Sequence, residues 1–317
     1  MAKSHLILAA LAAEAASGKN FISTRLSSDQ TPGFDSAVLE SEMGYKFQVL
    51  VPKAKQFEQE LNTELNALEL IRPLASSTLS VPELVGRTID SEGNSVVVLS
   101  FDESKDIKLG SKNSETIELL AAELARIHSL SAADAQTLSI HSYSPTELNT
   151  ELVEEIDRLA DTGKVPGVLL SRWEKALEDI GLWRYRPTVI HGSINSDTTG
   201  TNGDRLVLRG FGSMRVSDPA EDFAWIAGGC TEAILNSSFA QYLEIREADE
   251  NLLKRAIFYS EVEIARWLMH CIEIDDTRAA EAAAADLENL AEDAQRSDLP
   301  SLEAISFIGL NQQRDDS

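Results

Sequence analysis

The sequence is poor in cysteine, in basic residues and in long apolar runs. Its 317 residues include two cysteines, Cys230 and Cys271, and neither belongs to a Cys-x-x-Cys pair or a Cys/His cluster. Two cysteines cannot build a disulfide framework, and without metal-ligand spacing they indicate no metal site. A reducing cytoplasm is therefore the expected location.

Basic residues are outnumbered, since 28 Lys and Arg face 52 Asp and Glu and give a net charge of −24. A chain of this charge repels phosphate backbones and anionic lipid. We therefore expect neither nucleic acid nor a membrane surface as a partner. The acidic surface would attract cationic amines, or it serves solubility alone.

No apolar run approaches the ~20 residues of a membrane-spanning helix. The run 6–13 in "MAKSHLILAALAAEAASG" imitates a secretion signal, but Leu6, Leu8, Leu11 and the alanines also make a short amphipathic helix. Both interpretations stay open. The glycine patterns of dinucleotide sites and P-loops and the G-x-S-x-G elbow do not occur either.

The residues that are present form two regions of different pattern. Period-two alternation predicts strands at 21–27, in "GFDSAVLES" and "GYKFQVLVPK", and in a hairpin of "VPELVGRTID" and "NSVVVLSF". One helix, with Phe57, Leu61, Leu65 and Leu68 on one face, lies between the first three strands and the hairpin. This pattern predicts a small α+β lobe over residues 1–103 and a mostly helical lobe over 104–317, interrupted by a β hairpin at 189–210.

Five sequence motifs follow one another along both regions. They are "FDSAVL" before a strand ending in Val-Pro-Lys, "TELNALELI", "ELARIHSL", "PTVIHGS" and "SDPAEDFAW". In this order the chain resembles the aminoglycoside and macrolide phosphotransferases, bacterial antibiotic kinases that read H-G-D-[LI]-H-x-x-N and later I-D-[WF], followed by D-P-A-x-D. The resemblance implies a two-lobed, protein-kinase-like α+β fold and the family's ATP- and Mg²⁺-dependent phosphoryl transfer.

When the family's motif is placed on this sequence residue by residue, four of its functional positions carry a different residue. The catalytic aspartate falls on Ser193, the asparagine that helps to hold Mg²⁺ on Thr198, and the main metal aspartate on Gly210. The basic residue that contacts the ATP phosphates falls on Leu50. A serine is no useful base near pH 7 and glycine offers Mg²⁺ no side-chain oxygen. No catalytic residue, metal site or bound cofactor is therefore predicted.

Other family positions are retained. Glu64 stands where the helix glutamate would pair with the missing basic residue, a position tied to cofactor binding in the family. His191 and Gly192 are expected to shape the loop. Asp218 and Asp222 in "SDPAEDFAW" are interpreted as structural, because carboxylates favour exposed N–H groups at helix N-termini.

Three hypotheses for the function follow. The first is a catalytically inactive homologue, a pseudokinase, that binds or regulates an unknown small molecule or protein. The second is an active small-molecule kinase that requires ATP and Mg²⁺ and uses Asp197 or Asp204 as a displaced carboxylate. The third is a protein that has kept the fold for a different transfer reaction, or as a scaffold or interaction subunit of an assembly. His128 is expected to be a packed helix residue.

Overall fold

The computed structural model describes residues 3–26, 33–110 and 114–296. Two compact units share the chain, and each is built from separated segments. The first contains residues 1–108, 130–141 and 191–214, and the second contains 109–129, 142–190 and 215–317. The lobe boundary expected after residue 103 remains a prediction, whereas the segment 191–214 groups with the first unit by its contacts.

Helices and strands follow the predicted division into a β-rich first part and a helical second part, which confirms the α+β class. The strands are β1 (Phe21–Leu26), β2 (Phe34–Ser41), β3 (Lys46–Pro52), β4 (Leu79–Ser80), β5 (Leu84–Ile89), β6 (Ser95–Ser100), β7 (Lys105–Asp106), β8 (Thr188–Ile190), β9 (Thr199–Asn202), β10 (Arg205–Leu208) and β11 (Arg215–Ser217). The helices are α1 (His5–Ala15), α2 (Gln56–Ile71), α3 (Ser114–His128), α4 (Ala132–Thr137), α5 (Pro145–Asp161), α6 (Gly167–Glu178), α7 (Ala220–Gly229), α8 (Glu232–Leu243), α9 (Leu252–Glu273) and α10 (Thr277–Gln295).

The first unit holds an antiparallel sheet in the order β1-β2-β3-β6-β5. Helix α1 packs on it through Leu8 and Ala12, which are fully buried in one cluster with Leu39, Val49 and Val98. Of the leucines assigned to the apolar face of this helix, Leu8 is fully buried and Leu11 half-buried, whereas Leu6 is 66% exposed.

A second sheet in the first unit carries the loop of interest. Its order is β4-β10-β9-β7, with β9 and β10 forming a short antiparallel hairpin and β4 pairing parallel to β10. The expected hairpin over 189–210 is thus only partly correct. Strand β8 pairs with β11 in the second unit instead, and the chain from 191 to 198 forms an open loop.

The second unit is built mainly of helices, among which α9 packs against two neighbours. Eleven residues of α9 are buried, and α7 and α10 lie against it. Helix α5 begins at a capping box, in which the Ser144 hydroxyl accepts the Glu147 N–H and the Glu147 carboxylate accepts the Ser144 N–H. In the described ranges 3–26, 33–110 and 114–296 we find no helix with the length and apolarity to cross a membrane.

Candidate functional site

The loop that follows β8 is anchored by His191. Its imidazole is fully buried, donates from Nε2 to the Arg209 carbonyl at 3.1 Å, and packs on Phe211 with ring centroids 4.5 Å apart. Gly192 follows with φ +80°, a left-handed conformation that costs glycine little. The predicted role of these two residues in shaping the loop agrees with this geometry.

Asn195, Thr198 and Ser193 use their polar atoms within the loop itself. The Asn195 Oδ1 accepts the backbone N–H groups of Asp197 at 2.8 Å and Thr198 at 3.2 Å. The Thr198 hydroxyl donates to the Ser193 carbonyl at 2.6 Å and accepts the Asn195 N–H at 3.0 Å. Thr198, at the family's asparagine position, therefore binds the backbone of its own loop.

Replacing Asn195 with alanine should lower the free energy of unfolding by about 1–2 kcal/mol, because two backbone N–H groups lose their acceptor. Urea denaturation followed by tryptophan fluorescence measures the change. The matched control is Asn202→Ala at the exposed end of β9, which should change stability by less than about 0.5 kcal/mol. Equal effects of the two substitutions would contradict the assignment.

Gly210 and Thr198, the two positions where the family carries its metal ligands, lie next to each other. A Cβ atom built on Gly210 would stand 3.1 Å from the Thr198 Cγ2 methyl group. Gly210 has φ +73°, a left-handed backbone that a side chain adopts only with strain. The structure thus brings the family's two metal positions together, but with a methyl group and a hydrogen atom facing each other.

Mg²⁺, which the resemblance implies, does not fit these donors. Gly210 has no side-chain oxygen, and the Thr198 hydroxyl proton is committed to the Ser193 carbonyl. A hard divalent cation prefers carboxylate oxygens. Within the described part of the chain, no three His, Cys, Asp or Glu residues form a group that could hold a metal ion.

Glu64 lies on the buried face of α2 and is 8% exposed. Its carboxylate accepts the backbone N–H groups of Phe211 and Gly212. Burial raises the pKa of the Glu64 carboxyl to about 7, and Glu60 raises it further, while the two N–H groups oppose the rise. No ion pair joins Glu64 to a basic side chain within residues 33–110 or the other described segments.

Leu50, the position of the family's basic residue, lies in the middle of β3. It is 7% exposed and pairs with Ser36 and Val97 on the neighbouring strands. An apolar side chain in this place offers Glu64 no counter-charge. The glutamate expected at a cofactor position therefore contacts the backbone of the turn that follows Gly210.

Asp197 and Asp204 lie at different ends of the β9–β10 hairpin. Asp197 is exposed in the loop before β9, where its N–H is bound by Asn195. Asp204 is exposed at the tip between the strands. Four residues of strand separate the tip from the loop, about 13 Å at ~3.3 Å per residue. Asp197 alone is close to Ser193 along the loop.

Asp218 is fully buried in the second unit and is bound on several sides. Its carboxylate accepts from the Arg255 Nε at 2.7 Å and Nη2 at 3.0 Å, from the Tyr259 hydroxyl at 3.2 Å, and from the Ala220 N–H at the start of α7. Burial opposes the charge on Arg255, but the fields of Asp218 and Asp249 raise its pKa above the usual value. These contacts favour the structural interpretation of Asp218.

Asp222 is fully buried too and contacts the helix residue His128. The His128 Nε2 lies 3.0 Å from Asp222 Oδ2, and its Nδ1 lies 2.9 Å from the Tyr242 hydroxyl. This chain joins α7, α3 and α8 within the core. The contacts agree with the expected roles of Asp222 as a structural residue and of His128 as a packed one.

A pocket of about 210 Å³ opens in the second unit between α5, α9 and the chain around β11. Its walls carry Arg215 with Glu221 and Arg266 with Glu155, two ion pairs, and the ring of Tyr143. Burial raises the pKa of Tyr143, and nearby glutamates raise it further. Arg215 opposes this rise in the pKa of Tyr143.

Sequence reasoning missed three residues that matter here. Asn195 had a readable signal, since Asn with Asp and Thr two and three residues later is a turn pattern. Arg255 carried none, because a basic residue in a helical stripe is usually exposed. Glu60 was also missed, and its Cγ would stand 2.7 Å from a Cβ built on Gly212.

The fold is similar to that of known structures. Macrolide 2'-phosphotransferase MphH from Brachybacterium faecium superposes with a TM-score of 0.72 at 18% identity, covering 90% of this chain and 98% of that one. The complex of APH(2")-IIIa with GDP and kanamycin gives a TM-score of 0.71 at 18% identity, covering 93% and 100%. No curated protein matches the chain by sequence.

These structural similarities, at such low identity, establish the kinase-like fold. A family model named the phosphotransferase enzyme family matches residues 41–255, which is more than half of the chain. The match includes the loop after β8, the turn at Gly210 and the segment around Asp218. The chain therefore belongs to the phosphotransferase enzyme family.

Proposed function

We propose that this member of the family is catalytically inactive and acts as a binding or regulatory protein. The observation that carries the proposal is the loop from 191 to 198, in which the side chains of Asn195 and Thr198 bind the loop's own backbone. Ser193 offers no base, and Thr198 and Gly210 offer no carboxylate. Loss of a general base alone costs a factor of roughly 10²–10⁴ in rate.

Loss of the metal ligands adds to this cost. Phosphoryl transfer relies on positioning and on Mg²⁺ to neutralise the phosphate oxygens, and kinases with both reach about 1–100 s⁻¹. Leu50 also removes a contact to the ATP phosphates, and the net charge of −24 disfavours a polyanion. Weak nucleotide binding and negligible turnover follow.

The pocket of the second unit is a candidate binding site. The pocket combines two Arg–Glu pairs, a phenol ring and the leucines 148 and 152, so it offers polar and apolar contacts together. Kanamycin and GDP are ligands of one structural relative, and MphH is named for macrolides. These compounds are the first to test for binding.

Wild-type protein should show no change of melting temperature beyond about 1 °C with 1 mM ATP or GTP in the presence of Mg²⁺. A ligand at 100 times its Kd would add about 2.7 kcal/mol, which is several degrees for a chain of this size. Differential scanning fluorimetry measures the shift, with APH(2")-IIIa as the positive control. Phosphate release with kanamycin and a macrolide is assayed in parallel.

The active alternative rests on Asp197, which is exposed in the loop close to Ser193. If Asp197 were a displaced base, wild type would transfer phosphate and Asp197→Ala would abolish the transfer. Asp204→Ala at the hairpin tip is the matched control. Turnover that depends on Asp197 but not on Asp204 would show that the proposal of an inactive protein is wrong.

A further inference from the structure

The two arginines in the pocket of the second unit are each bound to a carboxylate of the pocket wall. Arg266 donates from Nε and Nη2 to the Glu155 carboxylate at 2.7 and 2.6 Å, and Arg215 pairs with Glu221. Glu221 also accepts the Ser217 hydroxyl at 2.5 Å. An anionic ligand would therefore meet guanidinium groups that are already neutralised, and it would lie close to their carboxylates.

Glu151 is the third carboxylate that lines the pocket. It is exposed to solvent, and within residues 3–26, 33–110 and 114–296 it makes no ion pair and no hydrogen bond. Three carboxylates and two guanidinium groups leave the pocket with a net charge of −1, which belongs to Glu151. The charges of the pocket therefore favour a ligand with one positive group.

The apolar part of the pocket comes from Leu148 and Leu152, which lie one turn apart on α5 and are both buried. The pocket volume of about 210 Å³ is below the ~300–1,000 Å³ of pockets that enclose drug-sized ligands. A single side chain would fill such a space. Lysine and arginine combine an apolar stem with a charged end, which is the combination that these walls offer.

The helix that forms this wall is acidic on its solvent side as well. Five exposed carboxylates of α5 stand against one exposed arginine, Arg158, and they belong to residues 147, 151, 154, 157 and 161. The whole chain has a net charge of −24. A surface of this sign attracts basic segments and increases the rate at which they associate.

We propose that the pocket of the second unit binds the basic side chain of a partner protein, with its charged end on Glu151 and its stem along Leu148 and Leu152. The inference rests on the proposed binding role of this pocket and names the class of partner. Arginine is the better match, because a planar guanidinium pairs with a carboxylate through two hydrogen bonds and stacks on an aromatic ring such as that of Tyr143.

The test is a titration of the full chain with N-acetyl-arginine methylamide and with its citrulline counterpart, which has nearly the same shape and no charge. The methyl signals of Leu148 and Leu152 in NMR spectra report whether a probe enters the pocket. We expect the arginine probe to bind roughly 3–10-fold more tightly than the citrulline probe, with a smaller difference at high salt. Equal affinities, or shifts that leave both leucines unchanged, would overturn the proposal.

Glu151→Gln should lower the affinity for the arginine probe to that for the citrulline probe. Glu154→Gln is the matched control, because Glu154 is exposed on the same helix but does not line the pocket. This variant should keep the wild-type affinity. Equal losses in the two variants would mean that the general field of α5, and not a contact in the pocket, attracts the probe, and would overturn the proposal.

Kanamycin separates a protein partner from a small amine with the same chemistry. If kanamycin binds more tightly than the arginine probe and displaces it, the pocket serves a free amine and the proposal of a protein partner is wrong. If it does not displace the probe, the proposal stands. Phosphate release by wild type would contradict catalytic inactivity without changing these affinities, so the two proposals can fail separately.

Discussion

Replacing Arg255 with leucine should lower the free energy of unfolding by about 3–5 kcal/mol. Arg255 is fully buried and binds Asp218, Asp249 and the Leu182 carbonyl, and its guanidinium lies 4.6 Å from the centre of the Tyr185 ring. Removal leaves the carboxylate of Asp218 in the core with neutral donors only. Chemical denaturation at pH 7 measures the loss.

The control for this substitution is Arg296→Leu at the end of α10. Its ion pairs with Asp293 and Glu292 are exposed, so the expected change is below about 1 kcal/mol. A second variant, Arg255→Leu with Asp218→Asn, should recover a part of the loss, because the fully buried charge is gone and the remaining carboxylate, Asp249, is partly exposed. A loss below 1 kcal/mol for Arg255→Leu would contradict the role of this network.

Restoring the family's residues should make the stability dependent on Mg²⁺. The variant combines Ser193→Asp, Thr198→Asn, Gly210→Asp and Leu50→Arg. Without metal the new carboxylates repel each other, and the aspartate at φ +73° adds about 1 kcal/mol of strain. Mg²⁺ with ATP should raise its melting temperature by roughly 5–10 °C.

The Gly210→Asp substitution has to be combined with Thr198→Asn. Gly210→Asp alone would place its Cβ 3.1 Å from the Thr198 methyl group, and Thr198→Asn removes that methyl group. A triple variant that keeps Gly210 supplies a single carboxylate and is the matched control, for which we expect almost no response to Mg²⁺. The same large shift in wild type and in the quadruple variant would contradict the vacated site.

The sequence predicted the fold well where local periodicity decides the structure. The strands of the first sheet followed from alternation, and helical spacing predicted the buried positions Leu61 and Leu68 of α2, whereas Phe57 and Leu65 are only half-buried. The pairing of β4 with β10 could not be predicted, since β4 has two residues and thus no period, and its partner Leu206 lies 127 positions after Leu79. Pairing at such a distance is decided by the folded chain alone.

The candidate site, too, could be predicted from the sequence only in part. The positions of Ser193, Thr198 and Gly210 came from a motif, and the structure does bring Thr198 and Gly210 together. The binding of Glu64 to Phe211 and Gly212 was not predictable, because it joins residues about 150 positions apart through backbone groups that no side-chain pattern reports. The link between Arg255 and Asp218 escaped prediction for a similar reason.

The interrupted course of the chain through the first unit bears on how the protein folds during its synthesis. Strands β4 and β7 are made by residue 106, yet their partners β9 and β10 end at residue 208. At ribosomal rates of ~5–20 residues per second, about 5–20 s pass between the synthesis of β7 and that of the last partner strand. During that interval the nascent first unit exposes unpaired strand edges, which favour misassembly and chaperone capture.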